Sequence, residues 1–229
     1  PGRPTAAIAL DALANPAAAD LVDALLEDRL VTSPDPSQGW AFVHRLLRQS
    51  LLADIHTYGR WREHHRSCAE ALTSPERRGR HRLEAGEPAA AIPDLLTTAR
   101  RALELGEVRR AQAALADWHR ALSALGADAS DPRQGRGLAM EIDALRRLGR
   151  FDEAADLAAD AVARSTLSWP GRPELLRAAG RTAHIQGNLP LAQQHIEAAL
   201  AQLIDQPPNL TTARCHQLLG QIFGDQGMS

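Results

Sequence analysis

The chain has no lysine: all 26 of its basic residues are arginine. Schiff-base catalysis and a phosphate-loop lysine are therefore both excluded within it. Cysteine is scarce, with only Cys68 and Cys215, both on expected helices. Such sparse thiols point to a reducing compartment in which they pack as small hydrophobes. Aromatic residues amount to 3%, so smaller side chains must build the interior. No apolar run approaches the roughly 18 residues that span a bilayer, and no membrane partner is expected. Neither sign of charge prevails, the formal net charge being −2, which removes any global field for nucleic acid. There is no initiating methionine, no signal-peptide pattern and no polar C-terminal cap. The chain thus reads as a segment of a longer cytoplasmic protein.

What is present is alanine and leucine. Hydrophobic residues reach 44% and these two dominate. The mixture favours closely packed helices, because alanine costs no side-chain entropy in a helix and lets neighbours approach. Two helices are expected over 5–14 and 18–30, separated by Asn15-Pro16. Leu30-Val31-Thr32 and Trp40-Ala41-Phe42-Val43 predict two short strands, joined as a hairpin by the polar loop 33–39. From Arg45 the spacing of Leu46, Leu47, Leu51 and Ile55 predicts a helix with a buried stripe, and another follows over 57–72.

Beyond Ser74-Pro75 every periodic segment is helical, at 76–85, 88–105 and 108–125. A linker containing Asp131-Pro132, Gly135 and Gly137 precedes helices at 138–148, 151–165, 173–186, 189–205 and 210–225. Gly106, Gly149, Gly187 and Gly227 each follow a helical stretch, recurring about every 40 residues, the period of stacked helix pairs. The expected fold is mainly α: a small module over 1–75 with one β-hairpin, then an α-solenoid over 76–229 whose last repeat is truncated.

Two patterns resemble known families. Anchored on Gly187, residues Leu176, Gly180, Ala183, Leu189, Ala192, Ile196 and Ala199 take the core positions of a tetratricopeptide repeat. Anchored on Gly227, Leu219-Gly220 and Phe223 fall in register. On Gly149 the positions go to Leu138, Leu145, Phe151, Ala154, Ala158 and Ala161, with Ile142 in the small-residue slot, which predicts looser or shifted packing there. The resemblance covers about 90 residues well and 88–125 more weakly.

The second pattern lies at 18–125. An acidic helix, the hairpin, the phrase Trp40-Ala41-Phe42-Val43-His44-Arg45-Leu46-Leu47 and the junction His81-Arg82-Leu83-Glu84-Ala85-Gly86-Glu87-Pro88 resemble large ATP-binding bacterial regulators of the STAND type. In that family a winged-helix-like arm couples the ATPase to a helical-repeat sensor, with LuxR-type DNA-binding, protein kinase or cyclase domains as outputs. Neither the nucleotide-binding motif nor an output domain lies in this sequence. The resemblance implies a regulatory segment and an upstream ATPase in the same chain.

DNA reading by the arm is disfavoured. The helix before the hairpin carries Asp20, Asp23, Glu27 and Asp28 against Arg29 alone, and DNA affinity rests on cations facing phosphates. The basic stretch from Arg60 to Arg82 could dock an acidic partner or nucleotide phosphates, though a solvated helix face accounts for it more simply. His64 and His65 point about 100° apart on a helix and chelate poorly. Trp40, Trp61, Trp118 and Trp169 fit core or helix-end positions. No serine, histidine or acid stands in a catalytic context, so neither enzymatic activity nor a metal or cofactor is expected.

The repeat register instead points to a groove. First-helix residues Arg136, Asp143, Arg146, Arg147, Arg177, Arg181, His184, Arg214, Gln217 and Gln221 would face its inner surface, interrupted by Glu174 and Asp225. Arginines so placed suit carboxylate or phosphate, which they bind through paired donors. The expected partner is a protein, acidic peptide or small-molecule effector. The competing readings are a passive scaffold of a kinase or cyclase fusion, and a nucleic-acid-binding module using residues 60–82.

Overall fold

The computed structural model describes residues 24–32, 41–57, 59–166 and 169–227. They form two compact units divided between Ala91 and Ile92. The expected helix at 5–14, residues 18–23 of that at 18–30, the hairpin loop and Trp40 lie outside the described residues.

In the first unit residues 24–27 are helical, and β1 (Val31–Thr32) pairs antiparallel with β2 (Ala41–Phe42), Val31 opposite Phe42. Three helices follow: α1 (Arg45–Thr57), α2 (Trp61–Ala71) and α3 (Pro75–Glu84). The helix expected over 57–72 starts later because Gly59 adopts a left-handed φ of 69°. Proline opens α3 at its first position, where its missing N–H removes no helical bond.

α4 (Pro88–Glu104) begins in this unit and runs into the second. The second unit continues with α5 (Val108–Ala124), a 3-10 turn (Pro132–Gln134), α6 (Gly135–Arg147), α7 (Phe151–Arg164), α8 (Arg172–Ile185), α9 (Leu189–Ala201) and α10 (Leu210–Gly227). It is mainly helical and repeat-like, with α6 packed on α7 and α8, and α9 on α8 and α10.

One turn recurs at Gly106, Gly149 and Gly187, with φ of 76°, 76° and 78°. In each case the next residue's N–H reaches back five positions: Glu107 to Ala102, Arg150 to Leu145, and Asn188 to Ala183, at 2.8, 3.0 and 2.9 Å. This left-handed closure satisfies the last carbonyls of one helix, and the partner helix starts one residue later. Gly227 differs: it is still helical and closes nothing.

The expected linker is largely helix. Gly135 and Gly137 are both buried within α6. A β-carbon on Gly135 would lie 2.7 Å from the Pro170 carbonyl oxygen, and one on Gly137 would clash with the Trp118 ring. Glycine here permits close approach rather than a bend.

Leu176, Ala183, Ala192, Ile196, Ala199, Cys215, Leu218 and Ile222 form one core cluster. Gly180 is its narrow point, since a β-carbon there would lie 2.8 Å from Ile196 Cδ1. Ile142 is completely buried, so its bulk is absorbed where looser or shifted packing was expected. On α10 the register differs from expectation. Phe223 is 50% exposed and a β-carbon on Gly220 would touch nothing; among the described residues no helix covers that face as α9 covers Gly180. Phe151 is likewise more exposed than a core position requires.

Candidate functional site

The first helices of successive pairs are neighbours: α6 packs on α8, and α8 on α10. Side chains three or four positions apart on each helix share a face, which gathers the expected groove residues.

Asp143 of α6 is the centre. One of its carboxylate oxygens accepts from Arg146 Nη2 and the other from Arg177 Nη2 of α8, each at 3.1 Å. All three side chains are between 15% and 18% exposed. Burial pushes the Asp143 carboxyl up, but Arg177 and Arg146 beside it hold it below the usual carboxylate range. Arg181 stands one turn further along α8 and donates through Nη1 to Gln221 Oε1 of α10 at 3.1 Å. Its pKa is lowered by burial, then by Arg146, with Asp143 opposing and Arg177 adding to the repulsion.

Two donors stay unused. The Nε atoms of Arg146 and Arg181 are buried and have no hydrogen-bond partner.

Two cavities open here. A cavity of about 260 Å³ is lined by Arg146, Arg177, Arg181, Arg214, Gln217 and Leu218. A cavity of about 640 Å³ shares Arg177 and Arg214 with it and adds Arg136, Arg147 and Asp143. Eight of the ten expected groove residues therefore line one cavity or the other, and Gln221 does not. His184 lines neither: its Nε2 lies 2.7 Å from Asp225 Oδ2. The wall formed by Leu96, Arg100, Leu103 and Glu104 of α4 was not anticipated, although Leu96, Arg100 and Leu103 are spaced as one helical face.

The basic stretch of the first unit is largely engaged internally. Arg66 pairs with Glu87 at 2.6 Å and Arg80 with Glu76 at 3.5 Å, while Arg82 donates to the Ala90 carbonyl at 3.0 Å. Among the tryptophans, Trp118 and Trp169 are buried, and Trp61 stacks on His56 with ring centroids 3.8 Å apart.

Beside Trp61, His65 Nδ1 meets His81 Nδ1 at 2.9 Å, while His64 Nε2 lies 3.7 Å from Cys68 Sγ. No group of three ligands able to hold a metal occurs among the described residues. Burial, then the neighbouring His81 and His64, lowers the His65 pKa from 6.5 to about 4, against a small opposing pull from Glu84. The unfolded chain thus binds a proton that the folded one refuses. Stability is intact above pH 6.5 and declines as the pH falls toward about 4. The urea midpoint read by tryptophan fluorescence should fall on acidification, and His65→Phe should flatten that fall. A midpoint indifferent to pH in this window would contradict the reading.

The chain matches no family model, no curated protein and no solved structure.

Proposed function

We propose that this chain is a non-catalytic regulatory segment: a winged-helix-like arm followed by a tetratricopeptide-type array that binds an acidic effector. The carrying observation is that Arg146, Arg177, Arg181 and Arg214, from three successive first helices, line one cavity, two of them also paired with Asp143. The pairing of β1 with β2 next to α1 supports the arm. Repeat character is supported by the cross-helix partners, which lie 34 positions apart for Arg177 and Asp143, and 40 for Arg181 and Gln221.

Mechanistically, the site spans α6, α8 and α10, so an effector held by all three favours one spacing of those helices. A ligand shifts an equilibrium only by its differential affinity for the two states. Tightening the array around an anion would bias an ATPase attached upstream, and the attached domain would reciprocally alter effector affinity.

Replacing Arg177 and Arg181 together with Gln should weaken binding of a poly-glutamate peptide by about tenfold or more, as each lost charge-assisted contact is a strong one. Titration calorimetry checks this, with circular dichroism confirming helix content. Unchanged affinity would remove the proposal.

A further inference from the structure

The two cavities differ in a way that narrows the ligand. The smaller has four guanidiniums and an amide in its lining and no carboxylate. Asp143 already occupies one Nη2 of Arg146 and of Arg177 from the larger side. What remains lining the small cavity is cationic excess, four guanidiniums without a carboxylate among them. These guanidiniums come from three helices, α6, α8 and α10, so a single planar carboxylate, whose two oxygens suit one guanidinium fork, leaves part of the set unused. A phosphoryl group presents three strong acceptor oxygens and close to two charges, and answers donors arriving from several directions.

The larger cavity is mixed in character. Leu96, Leu103, Ala139 and Met140 give it an apolar wall, while Glu104 and Glu174 add acid. Its volume of about 640 Å³ falls in the range of small-molecule sites. Arg100, Arg136 and Arg147 stand beside Glu104 and Glu174, so the charges of this lining largely offset one another, and the apolar wall accommodates an organic body.

We infer that the ligand is a small organic phosphate monoester, its phosphoryl group held by Arg146, Arg181, Arg214 and Gln217 and its body lying against Leu96, Leu103 and Met140. This deepens the effector-site reading given above and rests on it. Arg177 and Arg214, common to both cavities, mark the passage between head and body.

The test is calorimetry on the whole chain with phenyl phosphate, inorganic phosphate, benzoate and a poly-glutamate peptide. Phenyl phosphate should bind at least about tenfold more tightly than benzoate and more tightly than inorganic phosphate. R181Q should abolish the preference for phosphate. R214Q changes an exposed side chain, so it folds irrespective of the core and should still weaken phenyl phosphate by about tenfold. Benzoate binding as well as phenyl phosphate, or R214Q binding like the parent, overturns the phosphate assignment. Peptide binding without any phosphate binding also overturns it while leaving the effector groove in place. Failure of all four probes overturns both.

Discussion

Asp143→Ala is expected to lower the unfolding free energy of the helical unit by about 3 kcal/mol, the low end for breaking a buried ion pair because residual exposure allows some screening. The carboxylate holds two guanidiniums from different helices, and Arg181 already suffers from their proximity. Removing the anion leaves mutually repelling, half-buried cations between α6 and α8. Asp143→Asn keeps the shape and an acceptor and should lose less. Because the folded-state pKa lies below the ordinary value, the stabilisation is present above the usual carboxylate range and lost as the pH falls through the folded pKa. Urea denaturation followed by circular dichroism measures the loss, and a phosphate buffer should restore part of it relative to chloride. A variant as stable as the parent would show that the arginines tolerate one another without Asp143.

Gly137→Ala is expected to cost about 2 kcal/mol in spite of the roughly 1 kcal/mol that alanine gains over glycine within a helix. The added methyl would enter space held by the ring of Trp118, which is completely buried and cannot swing aside. Gly149→Ala provides the contrast: nothing lies within 4 Å of its absent β-carbon, and only the left-handed φ of 76° resists substitution, at about 1 kcal/mol. Thermal unfolding of the two variants separates close approach from backbone conformation. A Gly137 variant more stable than the parent would mean that α6 has slack against α5.

The two glycines mark where the sequence was and was not readable. Gly106, Gly149 and Gly187 announced themselves because a helix stop followed by a new apolar period is local information. Gly135 and Gly137 look the same in a linear reading, yet they serve contacts with Pro170 and Trp118 that only tertiary packing creates. The same division runs through the site. Asp143 and Arg146, three positions apart on one helix, are a legible pair, and Arg177 of α8 meets the same carboxylate. The unused Nε donors and the apolar wall from α4 depend on how helices from different pairs meet. On α10, periodicity alone cannot distinguish the Leu219 and Phe223 face from that of Cys215, Leu218 and Ile222; burial of the latter is decided by α9.

Anomalous diffraction from a crystal soaked in tungstate, a heavy tetrahedral dianion, bears most directly on whether the arginine cluster is an anion seat. The expected result is a peak in the smaller cavity within hydrogen-bonding distance of the Arg181 and Arg214 guanidiniums, with the Asp143 pairs intact. A cavity without a peak, its guanidiniums closed onto Asp143 and Gln221 alone, would contradict it.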